Sequence, residues 1–116
     1  MAETTEEDQK LAFQGTLGRD YRDYFLRLGK RGRNYDIFKQ DLETLDSAVD
    51  LEYLMERVWI VGSPDEVAER IRWLYEAVGG FGVLLAVGHE WKPREIWLQS
   101  MNLLASEVLP MLADLN

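Results

Sequence analysis

The chain contains no cysteine and only one histidine, and these absences exclude several kinds of chemistry. Without cysteine it can form no disulfide, no thiolate metal site and no thiol nucleophile. Acidic residues are plentiful, but none has ligand partners in a metal-binding pattern, so no metal site is predicted. The lack of cysteine fits a reducing compartment, and we expect a cytoplasmic protein.

Basic residues are also scarcer than acidic ones. The chain has thirteen Lys and Arg and twenty-one Asp and Glu, which gives a formal charge of -8. The resulting negative field repels nucleic acids and anionic lipid surfaces. No apolar run approaches the roughly 20 residues that span a bilayer. Residues 1–10 are acidic and polar, where a signal peptide is basic and then apolar. We therefore expect no nucleic-acid partner, no membrane partner and no visible export signal.

The first part of the chain has the pattern of a long amphipathic helix. Thr4 and Glu7 are spaced as an N-cap and its partner, and apolar residues follow at intervals of three and four. Gly29, followed by several basic residues, is typical of a helix C-terminus. We predict a helix over residues 1–29 and a loop over residues 30–46.

Two short apolar runs then have the composition of buried strands. Residues 58–61 are β-formers that end at a glycine, and residues 81–87 are apolar on both faces, as in parallel sheets. Between the runs, Ser63 and Pro64 fit the N-cap and first position of a helix. A strand-helix-strand crossover of this length normally returns parallel and right-handed.

A last helix from about Pro93 completes a helix-strand-helix-strand-helix unit over residues 47–116. Two strands cannot cover their own faces and edges, so such a unit is typical of the closing part of a larger (β/α) barrel. We therefore predict an α/β fold, mostly helical, with two short parallel strands over 58–61 and 81–87. Residues 1–116 are expected to form one partial domain.

Several segments also carry a family resemblance, in the same order and spacing. They are residues 59–68 (WIVGSPDEVA), 78–85 (VGGFGVLL) and 88–91 (GHEW), followed by 107–110 (EVLP). Together they resemble the C-terminal end of bacterial-luciferase-like flavin-dependent monooxygenases, particularly the limonene and alkanal monooxygenase type. Residues 2–4 resemble the end of that family's sixth strand.

The resemblance implies the C-terminal part of a (β/α)8 TIM-type barrel. The family binds reduced flavin, activates dioxygen and inserts one oxygen atom into a small organic substrate. The implied cofactor is a flavin such as FMN, and a deazaflavin relative stays open. Most of the family's flavin contacts come from earlier strands and loops, so the resemblance assigns no cofactor-binding residue to this chain.

The chain is therefore expected to be a truncated monooxygenase segment that neither binds flavin nor catalyses the reaction by itself. A second hypothesis comes from a different class of function. In it the chain is a non-catalytic helical interaction module. Its exposed barrel edges would then associate with a second copy or with a partner that supplies the missing barrel half.

His89 and Trp91 are the candidate site residues, because they follow the second β-run. Barrel enzymes place their active sites at the C-terminal ends of the strands. Because histidine ordinarily titrates near neutral pH, His89 could donate to a flavin or substrate oxygen or move a proton, or it could simply cap the loop. Trp91 could form a wall of the substrate pocket, or it could pack on the last helix.

Two other features favour a structural interpretation. The turn at residues 62–64 has the geometry of a phosphate site at a helix N-terminus. However, Asp65 and Glu66 occupy the first helical turn and the proline lacks an amide donor, so we predict a structural capping box there. The basic cluster at residues 30–33 could meet a phosphate-bearing ligand, although such residues after a helix usually complement its dipole.

Overall fold

The computed structural model describes residues 1–86 and 93–115, and their regular structure is helical. The α-helices of this part are α1 (Thr5–Gln14), α2 (Thr16–Asp20), α3 (Leu26–Gly32), α4 (Leu51–Tyr53), α5 (Pro64–Ala77), α6 (Arg94–Leu103) and α7 (Leu109–Met111). Wider π-helical turns follow α2, α4 and α6 over Tyr21–Phe25, Leu54–Val58 and Leu104–Val108. Short 3-10 turns span Asp36–Phe38, Asp46–Ala48 and Ala113–Leu115.

The chain divides into two compact units. The first unit consists of Met1–Asp8 and Ile60–Asn116, and the second consists of Gln9–Trp59. Within the part of the chain that the structure describes, no helix is both long enough and apolar enough to cross a membrane.

The first unit has a core built on one stripe of α5. Val67, Ala68 and Ile71 are buried there, as their spacing of three and four along the helix requires. They pack against Val108, which the π-helical turn after α6 carries inward and which has no exposed surface. Partly buried side chains surround this cluster, namely Met1, Ile60, Phe81, Leu104 and Leu112.

A bidentate ion pair links α5 to the 3-10 turn at Ala113–Leu115 in the same unit. The Arg72 guanidinium donates to both carboxylate oxygens of Asp114, at 2.7 and 2.9 Å, and to the Met111 carbonyl at 2.8 Å. Such fork-shaped geometry is the stronger form of an Arg-carboxylate contact. The hydrogen bond from Arg72 lowers the pKa of the Asp114 carboxyl below its ordinary value.

The second unit is built around an aromatic cluster. The Tyr21 ring lies 4.9 Å from the Phe25 ring, 5.0 Å from Trp59 and 6.2 Å from Phe38, measured between centroids. The contacts with Phe38 and Trp59 are edge-to-face and the contact with Phe25 is tilted, and such ring pairs add to the burial of apolar surface. Leu54 is fully buried and is the first residue of the π-helical turn that precedes Trp59.

The segment after α3 is fastened by two side chains. The Lys39 ammonium lies 2.9 Å from the Asp36 carboxylate and 2.7 Å from the Asp46 carboxylate. Hydrogen bonds to Asp46 and then Asp36 raise the pKa of Lys39. The Gln40 amide donates to the Tyr53 hydroxyl at 2.9 Å. The segment predicted as a loop therefore follows a defined path, although it contains little regular structure.

The helical stretch of the second unit extends beyond its predicted end. Gly29 lies inside α3, and the helix ends at Gly32 with Arg33 in the left-handed conformation at φ 51°. A Cβ atom on Gly29 would lie 2.6 Å from Cε2 of the Phe38 ring. Gly29 is therefore present for close packing against a buried ring, and the helix-ending role passes to Arg33.

The two strands predicted over 58–61 and 81–87 are not formed in the described residues. Val58 is the last residue of a π-helical turn, and residues 59–61 and 81–86 carry no strand pairing. A strand needs a neighbour to accept and donate its backbone hydrogen bonds, and neither run finds one among the described residues. Residue 87, the last of the second predicted strand, lies outside the described residues.

The packing of Gly29 predicts that Gly29→Ala lowers the free energy of unfolding by about 1–3 kcal/mol, because the added methyl group overpacks against a buried ring. Gly32→Ala is a matched control in the same helix, since nothing lies within 4 Å of its Cβ position. It should be neutral or stabilise by up to about 1 kcal/mol. Urea unfolding followed by circular dichroism measures both, and equal effects of the two substitutions would contradict the assigned packing.

The Arg72–Asp114 contact predicts a pH dependence of stability. Because the folded pKa of Asp114 is depressed below 3.8, its contribution is present above that pH and is lost as the pH falls through the lower, folded pKa. Asp114→Asn should therefore lower the urea midpoint at neutral pH, and the difference from wild type should shrink as the solution is acidified below pH 3.8. A difference that stays constant with pH would show that the charge of Asp114 is not its source.

Candidate functional site

The structure describes the approaches to the predicted site but not the site residues themselves. His89 and Trp91 lie outside the described residues, between Ala86 and Pro93. The described neighbourhood therefore consists of residues 81–86 on one side and the start of α6 on the other.

The turn before α5 follows the first predicted strand, residues 58–61, and it belongs to the first unit. The Gly62 amide donates to a carboxylate oxygen of Asp8 at 2.8 Å. The Ser63 amide donates to the Thr5 hydroxyl oxygen at 3.1 Å. Gly62 has a φ of 150°, and a Cβ atom there would lie 2.7 Å from a Glu66 carboxylate oxygen, so glycine is required.

These contacts give the turn a structural role. The amides of Gly62 and Ser63 are already bonded, Pro64 has no amide hydrogen, and Asp65 and Glu66 add negative charge to the first turn of α5. An anion would have to displace two internal hydrogen bonds and approach two carboxylates. The turn therefore does not fit the phosphate group of a flavin nucleotide.

The predicted capping box at this turn takes a different form. Ser63 is the N-cap residue of α5, but its side chain accepts no hydrogen bond from the helix backbone. Its hydroxyl lies 3.4 Å from a Glu66 carboxylate oxygen and donates to it. The reciprocal bond, from the Ser63 amide to Glu66, is absent because Thr5 already accepts from that amide. The cap therefore depends on a residue that lies 58 positions earlier in the chain.

Asp8 is the residue that sequence reasoning missed. It is 4% exposed, and its second carboxylate oxygen lies 2.7 Å from the Met1 amino nitrogen, which also donates to the Ser100 hydroxyl at 3.2 Å. A buried carboxylate must be paired or hydrogen-bonded, and both oxygens of Asp8 meet this condition. In the sequence Asp8 is only an acidic residue in the first turn of a helix, which is a common surface pattern.

The second unit contains an open hollow of about 440 Å³. Its lining is mainly polar and consists of Gln40, Asp41, Thr44, Ala48, Asp50, Glu52, Tyr53, Glu56 and Arg57. Burial opposes ionisation of the Tyr53 hydroxyl, but hydrogen bonds from Thr44 and from the backbone of Gln40 and Asp41 lower its pKa. These bonds fasten the loop to the Tyr53 hydroxyl.

In the part of the chain that the structure describes, the geometry shows neither a metal site nor a basic ligand site. Among the described residues, no three His, Cys, Asp or Glu side chains are grouped so that they could hold a metal ion. Lys30 and Arg31 lie in the last turn of α3 and Arg33 caps it, with all three exposed to solvent. This position is where positive charge complements the helix dipole.

Known proteins that resemble the chain indicate its family. No protein-family model matches the chain. It is 34% identical over 110 residues to 3,6-diketocamphane 1,6-monooxygenase from Pseudomonas putida, across 94% of this chain and 29% of that protein. It is 33% identical over 113 residues to 2,5-diketocamphane 1,2-monooxygenase 1 from the same organism, across 95% of this chain and 31% of that protein.

A solved structure extends the likeness to the backbone. It is a type II Baeyer-Villiger monooxygenase, the oxygenating constituent of 3,6-diketocamphane monooxygenase from the CAM plasmid of Pseudomonas putida, in complex with FMN. The TM-score is 0.85 at 34% identity, across 94% of this chain and 30% of that chain. Over nearly its whole length, this chain is therefore similar to a segment of these monooxygenases.

The resemblance predicted from the sequence is therefore confirmed, and a mostly helical partial barrel agrees with the structural neighbour. The chain spans about 30% of the length of the monooxygenases that it matches.

The buried contact of Asp8 predicts a specific loss of stability. Asp8→Ala leaves the Gly62 amide buried without an acceptor and should lower the free energy of unfolding by about 1–3 kcal/mol. Asp8→Asn should lose less, because its amide oxygen can still accept from Gly62. The exposed Glu7→Ala is the matched control and should stay within about 0.5 kcal/mol of wild type. Chemical unfolding of the four proteins tests the ranking, which fails if Asp8→Ala behaves like Glu7→Ala.

Proposed function

We propose that this chain supplies the C-terminal part of a flavin-dependent monooxygenase barrel that inserts one oxygen atom of dioxygen into a small organic substrate. The observation that carries the proposal is the backbone match of 94% of the chain, at a TM-score of 0.85, to an oxygenating enzyme in complex with FMN. The family resemblance of residues 59–68 and 78–85 supports the C-terminal position.

The cofactor of the complete barrel is FMN in this proposal. Bound flavin would supply the activation of dioxygen, which no side chain of this sequence can provide by itself. The turn at residues 62–64 has no free cradle for the flavin phosphate, since Asp8 and Thr5 already bond its amides. We therefore propose that other parts of the barrel hold the flavin and that the isolated chain is inactive.

Residues 58–61 and 81–87 become the two parallel strands of this proposal once neighbouring strands provide hydrogen-bond partners. His89 and Trp91 then follow the second strand on the face where barrel enzymes carry out their chemistry. In that position His89 would orient the flavin or substrate through a hydrogen bond or move a proton. Trp91 would form an apolar wall of the substrate pocket. The proposed setting is the cytoplasm.

A second candidate function is a non-catalytic interaction module. The observation that favours it is the amount of apolar surface that the first unit leaves uncovered, including Trp73, Val83 and Leu85. Size-exclusion chromatography with light scattering tests self-association of this module. A stable monomer at all concentrations would count against it.

The proposed division of labour predicts the result of a flavin titration. FMN fluorescence should show no saturable, stoichiometric change when the purified chain is added, because the described turn does not fit a phosphate group. Full-length 3,6-diketocamphane 1,6-monooxygenase is the positive control. Tight one-to-one binding by this chain alone would refute the claim that the flavin site lies elsewhere in the barrel.

A further inference from the structure

The charges of the second unit are sorted into two halves along the chain. Residues 9–34 contain seven Lys and Arg and two Asp and Glu, whereas residues 35–59 contain two Lys and Arg and seven Asp and Glu. The second unit therefore has no net formal charge, and the charge of -8 belongs to the first unit. Opposite charges gathered on separate halves of one unit make two copies of that unit electrostatically complementary.

The positive half carries an exposed face on its last helical stretch. Tyr24, Arg27, Leu28 and Arg31 are spaced so that they share one side of this stretch. Tyr24 is 60% and Leu28 is 53% exposed, and neither arginine has an ion-pair partner among the described residues. A shallow hollow of about 140 Å³ is lined by these four side chains and Asp23. We call the four residues the basic face.

The negative half carries carboxylates next to exposed leucines. The open hollow of about 440 Å³ is lined by four carboxylates and one guanidinium. In the loop that forms part of its wall, Leu42 is 70% and Leu45 is 73% exposed. The exposed carboxylates of Glu43 and Glu52 bond no other described residue. We call the lining of this hollow, together with residues 42–45, the acidic surface.

The loop that displays the two leucines is fastened. The Lys39 ammonium pairs with the carboxylates of Asp36 and Asp46, and the Gln40 amide donates to the Tyr53 hydroxyl. A loop that already follows a defined path loses little conformational entropy when its surface is covered. The exposed leucines are therefore presented in a form suited to binding.

The basic face points away from the side of α3 on which this loop packs. Gly29 is buried, and a Cβ atom there would lie 2.6 Å from the Phe38 ring. Arg27 and Arg31 are each two positions from Gly29, which is about 200° around an α-helix. Within one copy, the described residues show no ion pair between these arginines and the carboxylates of the loop.

We infer that a second copy of this chain covers both surfaces, through a head-to-tail contact between second units. The basic face of one copy meets the acidic surface of the next, with Tyr24 and Leu28 against Leu42 and Leu45. The occupant follows from charge complementarity, because the chain itself carries both halves of the contact. Since the two surfaces differ, the contact is heterologous, and a pair of copies keeps one surface of each kind uncovered. The inference does not depend on flavin chemistry.

The overall charge of -8 opposes association, but it acts differently from the contact. At physiological ionic strength the screening length is about 8 Å. Repulsion between the net charges of two copies is weakened beyond that distance, whereas oppositely charged side chains in contact lie within it. The leucines and the tyrosine add apolar burial, and the charges set the register.

Sedimentation equilibrium of the purified chain tests the association. At about 0.15 M salt the average mass should rise above that of a monomer as the concentration increases. Raising the salt to about 1 M shortens the screening length to about 3 Å and should shift the mass back toward the monomer. A monomer at every concentration would leave the two surfaces to a different occupant and overturn the inference, as would association that salt does not weaken.

Charge reversal locates the contact. The double variant Arg27→Glu/Arg31→Glu reverses the basic face, and Glu43→Lys/Glu52→Lys reverses the acidic surface. Each variant alone should raise the dissociation constant by about tenfold or more, because exposed attractions become repulsions. Because all four side chains are exposed, circular dichroism should show wild-type helix content in both variants.

An equimolar mixture of the two reversed proteins identifies the surfaces as partners. Each protein keeps one native surface, so mixing should restore association to within about threefold of wild type. Lys10→Glu/Arg94→Glu is the matched control, since it changes the net charge as the reversed basic face does, at exposed positions outside both surfaces. It should associate within about twofold of wild type. A mixture that does not associate, or a control that is weakened as much as the reversed basic face, would overturn the inference.

Discussion

The hydrogen-bonding requirement of a barrel strand governs this structure. A backbone run whose side chains are apolar on both faces is suited to a sheet, but it becomes a strand only if neighbours pair with its amides and carbonyls. Residues 81–86 have that composition and find no such neighbour among the described residues. The helices satisfy their backbone hydrogen-bonding groups internally. Residues 59–61 and 81–86, by contrast, form no strand, and residues 82–86 are exposed to solvent.

The first unit is held together by hydrogen bonds between residues that are far apart in the sequence. Asp8 accepts from the Gly62 amide and Thr5 accepts from the Ser63 amide, so the start of α1 fixes the start of α5. These bonds also use the amides that would make a helix N-terminus attractive to a phosphate. One set of hydrogen bonds thus gives the turn its stability and removes it as a cofactor site. For this reason we propose that flavin binding falls to other parts of the barrel.

Much of the helical structure could be predicted from local sequence. Thr4 caps α1 by accepting from the Glu7 amide at 3.3 Å, and Ser63 with Pro64 opens α5, as their residue types indicate. Gly29 misled the prediction, because a glycine near basic residues resembles a helix end, whereas its actual role is to make room for Phe38. The strands at 58–61 and 81–87 were predicted from composition, which reports what a segment would bury but not whether partners are present.

The sequence by itself determined the family resemblance, the helix starts and the exclusion of thiol chemistry, because these depend on residue identity and short spacing. Only the tertiary structure showed that Asp8 is a buried acceptor for Gly62, 54 residues away, and that Gly29 serves packing. Only it showed that the apolar run after Phe81 is uncovered. The physical reason is common to all three, since burial and pairing are properties of contacts between distant segments, and local patterns do not specify which distant segments meet.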